Sequence, residues 1–412
     1  MTEFMKTYKL KITVLSPVHI GASADLEPTE YVICGENDKP ASDVIVCPEC
    51  GYKNPLNKIG RDRRCLGCDS DLPVEDAPAK KSGIFLYTFT PGQLSAALSD
   101  ADKQSLLKAA KDGDPMTVQS FFKNKAAAIV KTATKRATVC PEVARKYEEK
   151  FGRVNGKNNE FNRFIIEKQI SDPATGLPYI PGSSIKGAIR TALMSAKNKF
   201  SALNRQGFIR YNDKKGRNEA VKDAGSIAEK QLYGYDSAPA QDAPDPFKAL
   251  KLCDAVSDSD LLMKICPAQR TGKKSNIPSN IEVIPENASF VSSLSIMQDV
   301  KPVNFGETIE TIRAACNDFY LDVLRNEIRK KWNENIDAHI KALEEKAAAS
   351  NAFILNLGKN GGAESKTIKG LRIIENRQKH TLMEHSGTYW FANDGRERLP
   401  FGWCVVEFEE EK

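Results

Sequence analysis

Two close cysteine pairs constrain this chain more tightly than any other feature. Cys47-Pro48-Glu49-Cys50 is followed, after a spacer of fourteen residues, by Cys65-Leu66-Gly67-Cys68. Two thiolates from each of two tight turns satisfy a tetrahedral Zn²⁺ completely, and a closed four-sulfur shell leaves no position for a reacting water. The spacing therefore predicts a structural zinc on Cys47, Cys50, Cys65 and Cys68. The surrounding stretch, about residues 35–80, is rich in Gly, Pro, Asn, Asp and Lys and poor in large apolar side chains. Metal binding would supply its folding free energy. Lys53, Lys58, Arg61, Arg63 and Arg64 make this insertion basic. The other six cysteines are scattered, so they form no disulfide framework, and paired CxxC turns favour a reducing compartment.

The rest of the chain reads as a mixture of strands and helices. Tyr8, Leu10, Ile12 and Val14 alternate with Lys9, Lys11 and Thr13, the period-two pattern of a strand buried on one face. Tyr31–Cys34 is a second strand placed to pair with it, and a third runs over residues 83–89. Thr90-Pro91-Gly92-Gln93 carries the marks of a helix start with a capping box, and helical segments continue to about residue 167. Residues 205–246 read as a loop with clusters of lysine and arginine. Further strands are expected near 262–266, 281–284, 290–297, 352–357, 387–391 and 402–408. Between them, Leu324, Ile328, Trp332, Ile336, Ile340 and Leu343 form an apolar stripe on a long helical region, about 309–348. Together these patterns predict an α+β fold with mainly antiparallel sheets. The domain division expected from length and pattern is 1–245, with the cysteine insertion and a helical region over 90–170, and then 246–412.

Apolar residues make up 41% and charged residues 28%, as in a soluble globular protein, and Lys plus Arg exceed Asp plus Glu by 60 to 54, a formal charge of +6. That excess permits a polyanionic partner without requiring one. No secretory signal opens the chain, and no run approaches the roughly 18–20 apolar residues of a bilayer span, so a cytoplasmic protein with no membrane association is expected.

Two glycine-rich segments are candidates for gripping a phosphate backbone. In the first, Gly182, Ser183, Ser184, Lys186, Gly187 and Arg190 surround a helix start. Ser183 or Ser184 can cap it, its free amides favour an anion, and Lys186 and Arg190 lie one turn apart. A plain strand–helix junction would use the same residues. In the second, Gly358, Lys359, Gly361, Gly362 and Lys366 follow a strand, where successive amides can form a concave nest. A surface turn is the alternative. Neither segment has Walker or dinucleotide spacing. Catalysis has two weaker footholds: His19 after the first strand, and Asp254, Asp258 and Asp260, which could hold Mg²⁺ through oxygen. Neither is required by its pattern, and no catalytic residue is assigned.

The order of these motifs resembles one family. Leu10–Ala22, with Ser16-Pro17-Val18-His19-Ile20-Gly21, is similar to the opening strand and turn of the RAMP proteins of CRISPR effector complexes. Leu177–Arg190 resembles their internal glycine motif, and Val256–Asp260 the strand start that opens their second half. The loop from Leu357 through Gly362 to Thr367 is similar to their C-terminal glycine-rich loop, and Pro400-Phe401-Gly402-Trp403 to their closing strand. Length and motif order are most similar to the Csm-family subunit that caps the 3′ end of the CRISPR RNA in type III-A complexes. The resemblance implies two ferredoxin-like (RRM-like) domains and a non-catalytic antiviral-defence role. It implies contact with the 3′ portion of the CRISPR RNA, docking on the backbone RAMP subunit, and support of guide maturation, with a host nuclease as a further partner. RNA would be held by backbone, sugar and stacking, because a guide's sequence varies. The alternative is a RAMP endoribonuclease using His19 or the Asp254/Asp258/Asp260 group.

Overall fold

The computed structural model describes residues 4–35, 44–47, 49–55, 64–70, 83–133, 135–152, 164–201, 203–235, 245–271, 279–298, 305–331, 336–376, 379–386, 388–393 and 398–411. Lys58, Arg61, Arg63 and Trp332 lie outside them. The fold is mixed α+β with antiparallel sheets, as the alternation predicts, and it divides into two compact units. One is Met1–Asp25 with Ile166–Lys412, the other Leu26–Ile165.

The first unit is built around the opening strand, Met5–Val14. Tyr8, Leu10, Ile12 and Val14 are buried while Lys9 and Lys11 are exposed. The strand pairs antiparallel with Ser289–Met297 on one side and Trp403–Glu410 on the other. Ala352–Asn356 extends the sheet beyond Trp403–Glu410, and all five of its residues are buried. On the far side, Leu250–Leu252 and Ala255–Ser257 both pair with Ser289–Met297, and Tyr179–Ile180 pairs with Ala255–Ser257. The helices Gly182–Asn198 and Ile309–Asp322 meet through the Tyr320 hydroxyl, which donates to the Ala188 carbonyl at 3.0 Å. The Tyr320 ring meets the fully buried Trp403 edge-on at 6.2 Å. Asn317 fixes the second helix to the edge strand, accepting from the Ile354 amide at 2.9 Å and donating to the Ala352 carbonyl at 3.2 Å. A second layer of strands joins Lys264–Arg270 to Ser279–Val283 and to Trp390–Asn393. Ser279–Val283 also pairs with Ile166–Glu167, in parallel.

In the second unit, Tyr31–Gly35 pairs with Ile84–Thr88 rather than with the opening strand, and Ile84–Thr88 pairs in turn with Lys135–Val139. Val32, Phe85, Tyr87, Phe89, Phe122 and Ile129 form its core. The capping box at Thr90 and Gln93 is present in both directions, at 2.8 and 3.3 Å.

The strand Lys135–Val139 also interrupts the helical region expected over 90–170, and two further expectations are corrected. Residues 205–246 are no plain loop: Ile209–Asn212 and Arg217–Ala220 form a hairpin, and Ala224–Leu232 is a helix. The strands are four residues long, with half of their positions exposed and none buried, so they lack the apolar alternation by which a half-buried strand is recognised. The long helical region is also interrupted. Ile309–Asp322 passes into a π-helical turn, Val323–Ile328, α-helix resumes over Arg329–Lys331, and a further helix spans Asp337–Ala347. The apolar stripe survives the interruption, with Leu324, Ile328, Ile336, Ile340 and Leu343 all buried.

His339 on that last helix gives the fold an acid limit. Desolvation pulls its pKa down to about 4, whereas in the unfolded chain it titrates near 6.5. The unfolded chain therefore takes up a proton first, and stability present above about pH 6.5 is lost as pH falls toward about 4, by about 2 kcal/mol after allowing for partial exposure. Thermal midpoints measured across this window should fall more steeply for the wild type than for His339→Leu; parallel curves would sink the assignment.

Candidate nucleic-acid interface and cysteine cluster

Three motifs, one following the opening strand and two from the last part of the sequence, converge at one end of the main sheet. The Leu357 amide donates to the Gly402 carbonyl at 2.7 Å, the Gly402 amide to the Pro17 carbonyl at 2.9 Å, and the Lys359 amide to the His19 carbonyl at 2.7 Å. The Trp403 amide donates to the Ser16 hydroxyl at 3.0 Å. Gly358 sits in the left-handed region at φ +76°, and a Cβ there would lie 2.3 Å from the His19 carbonyl oxygen. The loop is thus bolted to the turn that follows the opening strand. Its interior is organised by buried Asn356, which donates to the Phe401 carbonyl at 2.8 Å and lies 3.0 Å from the Ser365 hydroxyl. Ser365 in turn contacts the carbonyls of Gly361 and Gly362 at 2.9 and 3.0 Å.

The cations of this loop have intramolecular partners. The Lys359 ammonium pairs with Glu167. Lys366 is exposed as a residue, yet its ammonium donates to the Asn356 carbonyl at 2.7 Å, and desolvation there pushes its pKa down to about 8. His19 lies beneath, 1% exposed, with Nδ1 2.7 Å from the Glu282 carbonyl and Nε2 without a hydrogen-bond partner, 3.8 Å from Glu167. A carbonyl neighbour assigns the proton to Nδ1. Burial is the main reason its pKa is lowered, so the ring is neutral and enclosed.

The other motif forms the start of the helix Gly182–Asn198. The helix opens on Pro181, and neither Ser183 nor Ser184 caps it. Instead, the Gly182 amide donates to Asp254 Oδ1 at 2.7 Å, so a carboxylate already stands at the positive end of the helix. A Cβ on Gly182 would lie 2.5 Å from the Leu252 carbonyl oxygen, which is why the helix can begin this close to the neighbouring strand. Arg190 is bonded to Glu229, lies 3.8 Å from Asp245 and stacks 4.8 Å above the Phe247 ring. It ties the helix Ala224–Leu232 and the 245–249 turn to the glycine-motif helix. What remains outward is Ser183, Gly187 and half-buried Lys186. Desolvation lowers the Lys186 pKa, and Lys251 and Arg190 add to the effect while Asp245 opposes it. Lys251 is a cation that motif reading misses. Its signal is the alternation Leu250-Lys251-Leu252, which puts it on the open face of a strand.

Asp254, Asp258 and Asp260 do not come together. Among the described residues, the groups of metal-type ligands are Cys47/Cys50/Cys65/Cys68 and Glu327/Glu364/His385. In the cysteine cluster, Sγ of Cys47 is 3.6 Å from Cys68 and Sγ of Cys50 is 3.6 Å from Cys65. Four sulfurs around one Zn²⁺ stand about 3.8 Å apart, so the donor set fits a tetrahedral metal. Each half closes the same way: the Gly51 amide donates to the Cys47 carbonyl, and the Asp69 amide to the Cys65 carbonyl, both at 2.9 Å. Asn54 Nδ2 and the Gly67 amide each donate to Cys65 Sγ at 3.3 Å. Burial opposes the Cys65 thiolate, but these donors outweigh it and lower its pKa to about 6. At Cys50 a backbone hydrogen bond from Tyr52 favours the thiolate, but the neighbouring cysteine sulfurs and burial outweigh it and push the thiol up to about 12, so the thiolate character is uneven across the set.

Among known proteins, the chain is similar to the CRISPR system Cms protein Csm5 of Streptococcus thermophilus, 25% identical over 215 residues covering 52% of this chain and 51% of that one. It is similar to the protein of the same name from Methanocaldococcus jannaschii, 26% identical over 241 residues covering 55% and 54%. The aligned stretch thus spans about half the length of the curated relatives it matches. In fold it is similar to a chain of a cryo-EM structure of a Csm–crRNA–target RNA ternary complex of a type III-A CRISPR-Cas system. That match has a TM-score of 0.55 at 17% identity and covers 97% of this chain and all of that one. The crystal structure of T. onnurineus Csm5 gives 0.53 at 18% identity, covering 96% and 99%. A model of the RAMP superfamily matches residues 11–363, from the opening strand to the glycine-rich loop, and the chain belongs to that superfamily.

Proposed function

We propose that the chain is a non-catalytic CRISPR-RNA-binding subunit of a type III-A interference complex, located at the 3′ end of the guide. It would have two ferredoxin-like halves, dock on the backbone RAMP subunit and support guide maturation. The observation that carries the RNA reading is the outward face of the 182–198 helix start. Ser183 and Gly187 are exposed there, with open space around Gly187 and Lys186 and Lys251 close enough to repel. Such a face offers charge and close approach to a phosphate backbone without reading bases. The second loop contributes Lys359 at its rim, with Gly358, Gly361, Gly362 and Lys366 shaping it; Arg190 and Gly182 position the first. The enclosed His19 and the dispersed aspartates support a role without catalysis.

The test is assembly of the complex with its RNA, followed by crosslinking mapped to residues. Crosslinks should concentrate at 183–187, 251 and 358–359. Lys186→Glu with Lys251→Glu should weaken RNA binding by at least tenfold and flatten its salt dependence. Crosslinks elsewhere with unchanged affinity would overturn the assignment of this face. RNA cleavage by the purified chain that is abolished by His19→Ala would favour the endoribonuclease reading instead.

A further inference from the structure

A second set of metal-type donors belongs to the other compact unit and uses none of the side chains assigned above to RNA contact. Glu327 stands on the π-helical turn Val323–Ile328, a helix irregularity that recurs at functional sites. Glu364 lies on the short turn Ala363–Ser365 and is fully buried, whereas His385 is half exposed. One oxygen from each carboxylate and one ring nitrogen lie within 4.8 Å of one another.

The donors are held in place. Glu364 Oε1 accepts from the Ser386 amide at 2.6 Å, and the Ser386 hydroxyl is 2.8 Å from both carboxylate oxygens. Burial works against its ionisation, but these donors and Tyr389 keep its pKa below the ordinary glutamate value. Because Ser386 follows His385, the grip on Glu364 also fixes the backbone of the histidine. His385 Nδ1 is 2.9 Å from Glu327 Oε2, while Glu327 Oε1 accepts from Arg372 Nη1 at 3.0 Å. Arg372 is 3% exposed, its Nη2 donates to the Glu364 carbonyl at 3.3 Å, and its Nε has no partner.

Two carboxylates face one guanidinium and one imidazole, so with His385 neutral a negative charge is left over in a partly desolvated place, where a bound cation would offset it. Two oxygens and one imidazole nitrogen suit Mn²⁺, Fe²⁺, Co²⁺ or Zn²⁺ better than the all-oxygen shells of Mg²⁺ and Ca²⁺. Three protein ligands also leave room for water on the ion. We infer that Glu327, Glu364 and His385 bind one divalent transition-metal ion, distinct from the ion of the cysteine cluster.

Mn²⁺ is the probe that separates the two sites, because thiolates favour softer ions. Titrated into the full chain with zinc on its cysteines, one Mn²⁺ per chain should disappear from the free-ion electron paramagnetic resonance signal. His385→Ala and Glu327→Gln should each weaken that uptake at least tenfold. His385 is half exposed, so its variant should keep the wild-type thermal midpoint in the absence of added metal. If the wild type takes up no Mn²⁺ at millimolar concentration, or His385→Ala binds it equally well, the cluster is only an ion-pair network and the inference fails.

Discussion

Stripping metal from the intact chain with a strong chelator is expected to release one zinc per chain and expose residues 44–70 to proteolysis, while the rest of the 26–165 unit stays folded. The asymmetry follows from where apolar surface lies. The main core of that unit, with Phe85, Tyr87, Phe89, Phe122 and Ile129, needs no metal. Among its described residues the cysteine segment forms a two-stranded ribbon, Val44–Val46 with Lys53–Pro55, and such a ribbon is marginal by itself. Structural zinc contributes on the order of 10 kcal/mol or more to the folding of small modules. Cys65→Ser should therefore abolish zinc retention. Asn54→Ala removes one donor to Cys65 Sγ and should weaken retention by about tenfold to a hundredfold, the range of outer-shell partners. Zinc content is read by a colorimetric assay and order by the rate of cleavage within the segment. Protein purified under reducing conditions without zinc, or cleavage indifferent to chelation, would refute the site.

The cysteine cluster was readable in the sequence because its chemistry depends on spacing within one short segment. The opening strand was readable because Tyr8, Leu10, Ile12 and Val14 alternate without interruption. Neither kind of signal reaches two of the corrected regions. The hairpin at 209–220 exposes most of its residues, so hydrophobic periodicity has little to record. The π-helical turn leaves the apolar stripe intact and shows no sequence mark of its own. The glycine-rich motifs were recognisable as places where backbone comes close to something, but what it approaches is set by chain tracing over hundreds of residues. Gly358 meets the carbonyl of His19, and Gly182 meets strand residue Leu252. Arg190 likewise reads as a phosphate ligand until Glu229, 39 residues away, is brought beside it. Local pattern carries elements and local metal chemistry; partners across the sheet are not contained in it.

The same substitution at two motif glycines should have opposite signs. Gly358→Ala places a Cβ 2.3 Å from a backbone oxygen, at φ +76°. A non-glycine residue in that region costs about 1 kcal/mol before any clash. Relief of the clash requires the loop to part from residue 19, which sacrifices the Lys359 amide bond to the His19 carbonyl, worth about 1 kcal/mol net. With lost packing around Asn356, a total of about 3–5 kcal/mol is expected, and a fall in thermal midpoint on the order of 10 °C. Gly187 instead lies within a helix with open space where its Cβ would stand. Gly187→Ala should leave the fold intact or stabilise it by up to about 1 kcal/mol. Denaturant unfolding of the full chain measures both. If Gly358→Ala unfolds within about 0.5 kcal/mol of wild type, a margin typical of harmless surface changes, then the 16–21 turn and the 357–362 loop are not mechanically joined. A stable Gly187→Ala chain that nevertheless loses RNA binding would separate the two glycines by role, one holding the sheet end together and the other keeping a helix surface low enough for a strand to lie across it.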